Sequence, residues 1–203
     1  MEHSEDLTSV ASTDKDARFA VSGGVNNMLF MTDLKTNQII TTIPRANCSR
    51  LVVASSNGEF LVTCDDTHNH ASVIDAVTLE QLHTLELHDD ALTAIAISTD
   101  CKTIATGDER GTIKISRSQQ TTDADGNSWT CNTMMKFDGE DECDCVHLIE
   151  LSPNNEAMVS VADWRLGDKC KTRIYRCVRR SLAKSEATSN YRALRFASVS
   201  CSN

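Results

Sequence analysis

Short runs of β-branched and other apolar residues recur along the chain, each bounded by residues typical of turns. The clearest runs are AVSGG (20–24), LVTCDD (61–66), IATGDE (104–109) and MVSVAD (158–163), and their starts lie 41, 43 and 54 residues apart. No window has apolar residues at the three-to-four-residue spacing of an amphipathic helix. Apolar runs this short, with turn residues around them, indicate β-strands.

Each run has strand-like neighbours in a constant order. A turn signal precedes it, as in SSNGE (55–59) and STDCK (98–102), and another apolar strand precedes most of those turns, as in LTAIAI (92–97). A third strand follows each run, as in GTIKISR (111–117), and a fourth follows in most units. The chain is therefore predicted to be all-β, with four repeated units of four short antiparallel strands.

One unit, LHDDALTAIAISTDCKTIATGDERGTIKIS (87–116), resembles a WD repeat. Leu87 and His88 stand where that family has Gly-His, and STDCKTIATG stands where it has its Ser-Pro-Asp-Gly turn and the following strand. The segment IDAVTLEQLHTL (74–85) is similar to the end of a repeat, where Trp-Asp closes the third strand. The resemblance extends over residues 3 to about 178 and implies a WD-repeat β-propeller with four four-stranded antiparallel blades.

The family's closing Trp is replaced in every unit, by Thr32, Ile74, Ser116 and Tyr175. In the family, a hydrogen-bonded set of His, Ser or Thr, Asp and Trp ties each blade together, and this set lacks its Trp here. A fully buried Ile or Leu contributes about 1.5–3 kcal/mol, against about 0.5–1.5 kcal/mol for a net hydrogen bond. We therefore predict that these blades depend mainly on apolar burial.

The domain organisation follows from the repeat. Residues 1–180 are predicted to hold blades at about residues 3–44, 45–86, 87–137 and 138–180. Residues 181–203 are a basic C-terminal segment. The alternatives here are an amphipathic helix over RRSLAKSEATSNYRALR (179–195) that contacts an acidic surface, and an outer strand of the last blade formed by RALRFASVS (192–200). Propellers have 4 to 8 blades, and an unclosed set of four leaves exposed strand edges. The alternatives are a small closed ring or, as we expect, an open arc or fragment that another chain or segment completes.

Charge is unevenly distributed along a chain whose net charge is −9. Residues 1–163 carry 10 Lys or Arg against 27 Asp or Glu, whereas residues 164–203 carry 10 against 2. The basic residues are interleaved with strand-like apolar positions, which favours docking on an acidic protein surface over binding another anionic partner. With a single aromatic residue before Phe196, the basic segment lacks the stacking groups of a nucleic-acid platform, so we do not expect a nucleic-acid partner.

The expected location is cytoplasmic and reducing, with a cytoskeletal or ciliary location as the alternative. No apolar run reaches the length of a membrane helix, and the acidic N-terminus lacks the apolar region of a signal peptide. We expect no membrane partner. Most of the nine cysteines lie in apolar runs, which favours free buried thiols.

Two clusters contain residue types that bind metals. The first, CDCVH, has Cys143, Cys145 and His147 at alternate positions. In register with the repeat, both cysteines precede the strand, and a fourth ligand is missing from the tetrahedral set that zinc prefers. The second cluster comprises four residues of CDDTHNH: Asp65, Asp66, His68 and His70. We interpret it as a polar loop and predict neither a metal nor a cofactor for this chain.

The sequence contains no nucleophile elbow, phosphate-binding loop or dinucleotide-binding glycine motif, so we do not predict an enzyme. We expect a non-catalytic protein–protein interaction scaffold, because stiff sheets hold variable loops in fixed positions. The residues predicted to contact a partner protein lie between second and third strands or before first strands: Arg45, His68, His70, His88, Arg110, Trp164 and Arg165. Trp164 is expected at a hairpin tip, and Trp and Arg are enriched in interface hot spots.

Two alternative functions remain at this point. The long hairpin VADWRLGDKCKTRIY (161–175) is similar to extended hairpins of cytoskeleton-associated and ciliary WD-repeat proteins, including the echinoderm microtubule-associated family. A metal- or thiol-dependent enzyme on a propeller is the other alternative, and it requires the two Cys/His clusters to converge.

Overall fold

The computed structural model of the protein describes residues 7–12, 19–24, 28–44, 51–64, 69–85, 88–120, 127–136, 144–154, 157–166, 169–179 and 191–201. The described residues form sixteen β-strands and no helix. None of them belongs to a helical segment of the length and hydropathy that crossing a membrane requires. The prediction of an all-β chain is confirmed.

The sixteen strands pair into four antiparallel sheets, each of four strands in chain order. The first sheet contains β1 (Leu7–Ser12), β2 (Phe19–Gly24), β3 (Met28–Asp33) and β4 (Gln38–Pro44). The second contains β5 (Leu51–Ala54), β6 (Phe60–Cys64), β7 (Ser72–Asp75) and β8 (Gln81–Thr84). The third contains β9 (Leu92–Ile97), β10 (Thr103–Asp108), β11 (Thr112–Gln120) and β12 (Asn127–Lys136). The fourth contains β13 (Asp144–Leu151), β14 (Ala157–Leu166), β15 (Lys169–Arg179) and β16 (Tyr191–Cys201).

The chain divides into two compact units, Met1–Leu92 and Thr93–Asn203. In the first unit, the first two sheets share a core of buried side chains: Val21, Leu29, Met31, Val52, Leu61, Ile74, Ala76 and Leu79. In the second unit, the last two sheets share another: Ala94, Ala96, Ala105, Ile113, Ile115, Val146, Ile149 and Met158. Alternate strand residues supply these cores, as expected for sheets stacked face to face.

Two threonine hydroxyls join the third sheet to the fourth within the second unit. Thr93 Oγ1 donates a hydrogen bond to the Val146 carbonyl oxygen at 2.5 Å. Thr99 Oγ1 donates to the Pro153 carbonyl oxygen at 2.9 Å. Both bonds link residues more than fifty positions apart, so they connect one repeat to the next.

The turn between the first and second strands is built in the same way in two sheets. Phe60 N donates to Ser55 Oγ at 3.0 Å, and Ser55 N donates to the Phe60 carbonyl oxygen at 2.9 Å. In the third sheet, Thr103 N donates to Ser98 Oγ at 2.9 Å, and Ser98 N donates to the Thr103 carbonyl oxygen at 2.9 Å. Serine at this position therefore satisfies a strand-end backbone donor that the ladder leaves unpaired.

The same turn contains a left-handed residue, Gly58 in the second sheet with φ 73° and Cys101 in the third with φ 57°. A side chain in this conformation costs about 1–2 kcal/mol, whereas glycine costs about 0.5–1 kcal/mol of extra backbone entropy. We expect Cys101→Gly to raise the free energy of unfolding by about 0.5–1 kcal/mol, measured as a higher urea midpoint. Gly58→Ala is the matched reverse change and should lower the midpoint. A lower midpoint for Cys101→Gly would contradict this account of the turn.

A second repeated turn joins the third and fourth strands. Asp33 Oδ1 accepts hydrogen bonds from the Lys35 and Thr36 backbone N–H groups at 2.8 and 3.1 Å. Four residues after Asp33, Asn37 has a φ of 54°. In the second sheet Asp75 is bonded in the same way, and Leu79, again four residues later, has a φ of 58°. Asp33 and Asp75 stand where WD repeats have the Asp of their closing Trp-Asp pair. Both form this turn, although the Trp before each of them is absent.

The strand register identifies the residue that replaces the closing Trp in each sheet. Leu61 lies six positions after the turn serine of the second sheet and pairs with Ile74. Ile104 lies six positions after the turn serine of the third sheet and pairs with Ser116. The equivalent residue of the fourth sheet is Met158, which pairs with Cys177. The prediction that Tyr175 occupies this position is therefore wrong. Its cause is the longer hairpin of the fourth sheet, which shifts the third strand relative to the spacing of the other repeats.

Two buried hydroxyls, one in the second sheet and one in the fourth, lack a hydrogen-bond partner. Thr63 Oγ1 and Ser160 Oγ are buried and have no hydrogen-bond partner. The closing positions of their sheets are Ile74 and Cys177, which offer at most a weak hydrogen-bonding group. An unsatisfied buried hydroxyl costs about 1–3 kcal/mol, so the apolar cores must offset this loss.

Candidate protein-interaction surface

The turn between β10 and β11 holds one predicted contact residue, Arg110, in a fixed position. Asp108 Oδ1 accepts hydrogen bonds from the backbone N–H groups of Arg110 at 3.0 Å and Thr112 at 2.8 Å. Asp108 is fully buried, whereas Glu109 and Arg110 are exposed. Gly111 ends the turn with a φ of 77°, a conformation that glycine adopts without strain. The sequence thus builds a rigid turn with two adjacent, oppositely charged side chains at its tip.

Two of the predicted histidines lie near each other in the first unit. His88 N donates to the Asn69 carbonyl oxygen at 2.6 Å, and Asn69 Nδ2 donates to the His88 carbonyl oxygen. The side chain of His88 is only 2% exposed, so it is unavailable to a partner and the structure assigns it to the interior. His70, next to Asn69 in the chain, is half-buried and lies beside the bonded segment.

The other predicted contact residues lie elsewhere. Arg45 and His68 fall outside the described residues. Trp164 and Arg165 belong to β14, and their backbones pair with Lys171 and Cys170 of β15. The interpretation of Trp164 as a hairpin-tip residue is therefore wrong, because the ladder continues past it to Leu166. In the fourth sheet, β14 and β15 continue as strands past the position at which the second and third strands of the other sheets are joined by a turn.

Residues 144–147 of the CDCVH segment lie in β13, so the expectation that Cys145 precedes the strand is wrong. A bulge between Val146 and Leu148 leaves His147 outside the regular register of β13. The side chains of Cys145 and His147 approach each other, with 4.0 Å between Sγ and Nδ1. Cys143 and most of the CDDTHNH cluster lie outside the described residues, and the described ones contain no group of three or more candidate metal ligands.

No role was assigned from the sequence to Asp33 and Asp75, the two aspartates that hold the turns between third and fourth strands. The backbone N–H of Thr78, followed by that of Val77, lowers the pKa of Asp75 below its ordinary value of 3.8, and partial burial opposes this. Such a turn can be recognised in a sequence by an aspartate at the end of a strand, followed by residues whose backbone N–H groups have no partner in the strand ladder.

This lowered pKa predicts an acid-dependent contribution to stability. The ionised carboxylate of Asp75 stabilises the fold above the unfolded-state pKa, and this contribution is lost as the pH falls through the folded-state pKa. We expect Asp75→Asn to have a lower urea midpoint than the wild type at pH 7, and the difference to shrink below about pH 4. A difference that is unchanged between pH 7 and pH 2.5 would contradict the role of the charge.

Comparison with known proteins agrees with these features. The WD40 family, described as the WD domain or G-beta repeat, matches residues 79–115. The structure is similar to the crystal structure of the RRP9 WD40 repeats, with a TM-score of 0.62, 16% identity, and coverage of 85% of this chain and 49% of that one. It is also similar to the structure of U3-55K, with a TM-score of 0.62, 15% identity, and coverage of 85% and 50%.

The chain therefore spans about half the length of these solved structures. No curated protein matches the sequence. The residues matched by the family include β8, β9, β10 and the buried His88. From the four repeated sheets, the WD40 match and the two structural similarities, we conclude that this chain contains a WD40 repeat and has the WD-repeat β-propeller fold.

Proposed function

We propose that this chain is a non-catalytic scaffold that binds another protein through the turns between its second and third strands. The observation that carries the proposal is the β10–β11 turn, in which a buried carboxylate fixes the backbone beneath exposed Glu109 and Arg110. The WD-repeat fold supports it further, because proteins of this family act mainly as interaction scaffolds.

A fixed turn favours binding because less backbone freedom is lost when a partner docks. Asp108 holds the Arg110 and Thr112 N–H groups before any partner arrives. An exposed guanidinium pairs best with a carboxylate, which can accept two parallel hydrogen bonds. We therefore propose a partner that presents an acidic side chain to Arg110.

The test compares proteins captured by immobilised variants from an extract of cells that express the protein. Arg110→Glu reverses the charge without removing a buried group, so it should abolish capture of the specific partners and leave the melting temperature within about 1 °C. Arg110→Ala should weaken capture by at least about tenfold.

Lys35 provides the matched control. It is an exposed basic residue on a β-turn, but on the turn between the third and fourth strands. Lys35→Glu should capture the same proteins as the wild type. If Arg110→Glu and Lys35→Glu retain identical sets of proteins, the proposed binding turn is wrong.

Association with the cytoskeleton is a second candidate, favoured by the length of one hairpin. The strands β14 and β15 contain 10 and 11 residues, against 5 and 4 for the equivalent strands β6 and β7. An extended hairpin is the feature that resembles cytoskeleton-associated and ciliary WD-repeat proteins. Co-sedimentation with assembled microtubules tests this candidate, and its absence at low salt would exclude direct binding.

A further inference from the structure

The fourth strand of the first sheet, β4, lies at an open edge of that sheet. Among the described residues, β3 is the only strand that pairs with β4. A groove lined by residues 37–42 runs beside β4. Gln38, Ile39 and Ile40 are all exposed, Ile39 by 36% and Ile40 by 52%. Because successive strand residues point to opposite faces, this end of β4 is open on both faces as well as along its edge.

An open strand edge carries backbone groups that the sheet does not pair. In an antiparallel sheet, alternate residues of an edge strand direct their N–H and C=O groups away from the neighbouring strand. At the other edge of the first sheet, β1 contacts β5 of the second sheet within the same unit. The outer side of β4 is therefore the edge of this sheet to which a further strand can be added.

The composition of β4 lacks two features by which proteins protect a strand edge, shortness and charge. The strand contains seven residues, none of them charged, and residues 39–43 are all β-branched. Of the other fourth strands, β8 has only four residues, β12 contains Lys136, and β16 contains Arg192 and Arg195. A six-residue segment of high β-propensity without charge or proline, as in residues 38–43, is of the type that pairs with its own copies.

We propose that β4 of one copy of this chain pairs with β4 of a second copy in the antiparallel direction, which joins the two first sheets into one sheet of eight strands. Antiparallel pairing uses the same edge of both copies about a twofold axis, so the assembly closes at two chains. The net charge of each chain is −9, and an uncharged strand lets two copies meet without like charges opposite each other. This contact is independent of the turn proposed above to bind another protein.

The contact between two edge strands is expected to be weak. Seven strand residues extend over about 24 Å. Stable interfaces bury about 1,200–2,000 Å² in total, and smaller ones belong mostly to transient complexes. A single pair of edge strands is in the smaller class, so we expect single chains at about 1 μM and mainly pairs at about 1 mM.

The test is the mass of the purified full chain in solution, measured by sedimentation equilibrium over a series of concentrations. A reducing agent is added because the chain contains nine cysteines. The mean mass should rise with concentration from 22.3 kDa towards twice that value. A mass that stays at 22.3 kDa up to about 1 mM, or one that continues to rise beyond two chains, would overturn the proposal.

A charge placed on the strand edge tests which surface is used. Ile40→Lys brings two ammonium groups close together in the pair and should raise its dissociation constant at least about tenfold. Leu82→Lys is the matched control, because Ile40 and Leu82 are the bulge residues of β4 and β8, and Leu82 is 59% exposed. Leu82→Lys should leave the dissociation constant unchanged, and equal effects of the two variants would count against β4. Far-ultraviolet circular dichroism verifies that both variants retain their strands.

Amide hydrogen exchange identifies the strand that pairs. At a concentration where about nine-tenths of the chains are paired, the outward-pointing amide groups of residues 38–42 should exchange about tenfold more slowly than in the single chain. The amide groups of β8 should exchange at the same rate in the single chain and in the pair. Pairs in which exchange along β4 is unchanged would have their contact elsewhere, and the proposal would be wrong.

Discussion

Replacing Ile74 with alanine is expected to lower the free energy of unfolding by about 2–5 kcal/mol. Ile74 is fully buried in the core of the first two sheets, pairs with Leu61, and occupies the closing position that the family gives to Trp. Its side chain therefore carries, by burial alone, the stabilisation that the missing hydrogen-bonded set cannot provide. Urea unfolding followed by circular dichroism measures the change as a lower midpoint.

Ile74→Val is the graded control for this prediction. It removes one methylene group and should cost about 0.5–1.5 kcal/mol. Thr63→Val, in the neighbouring strand, replaces an unpaired buried hydroxyl with a methyl group and should raise stability. A loss below about 1 kcal/mol for Ile74→Ala would mean that the core around this position does not hold the sheet together.

Replacing Gly107 with alanine is expected to destabilise the second unit by about 1–3 kcal/mol. A Cβ atom at this position would lie 2.6 Å from Val146 Cγ1 and 3.0 Å from Ile149 Cδ1. Both distances are far shorter than a normal carbon–carbon contact. Glycine is needed here because the backbone of the third sheet closely approaches side chains of the fourth, so the change should lower the urea midpoint.

A double-mutant cycle that combines Gly107→Ala with Val146→Ala tests whether the clash with Val146 causes the loss of stability. Val146→Ala removes the Cγ1 atom that a Cβ at Gly107 would strike. The double variant should therefore lose less stability than the sum of the two single variants, with a coupling of at least about 0.5 kcal/mol. Simple additivity would show that the two sheets do not pack at this point.

The repeat could be predicted from the sequence because two kinds of local signal agree. The apolar run LTAIAI corresponds to β9. The hydroxyls of Ser55 and Ser98 accept a hydrogen bond from the first residue of the strand that follows each turn. Each signal depends on residues within one unit, so it survives the loss of the family's Trp. The phase of the four sheets follows from these local patterns.

Features that depend on strand register could not be predicted. Cys177 replaces Tyr175 at the closing position, and Trp164 lies in a ladder, because the hairpin of the fourth sheet extends both of its strands. Likewise the bulge at His147 changes which residues of β13 share a face. Pairing between strands decides these features, and apolar periodicity alone does not specify how far a hairpin extends.

The interaction surface was predicted only as a set of loop positions. His88 occupies the expected place in the repeat, but its burial removes it from the surface. Arg110 is exposed as expected, and the residue that fixes its turn, Asp108, was not identified. A buried carboxylate that holds backbone N–H groups resembles any other aspartate in the sequence, which is why its role required the structure.

The most direct test of the repeated-sheet account is a set of cross-strand nuclear Overhauser effects between backbone protons. The account predicts contacts between the second and third strands of every sheet, in four residue pairs: Val21 with Met31, Val62 with Val73, Ala105 with Ile115, and Val159 with Arg176. Helical contacts within residues 51–118, or backbone pairing that runs continuously from β4 into β5, would contradict it.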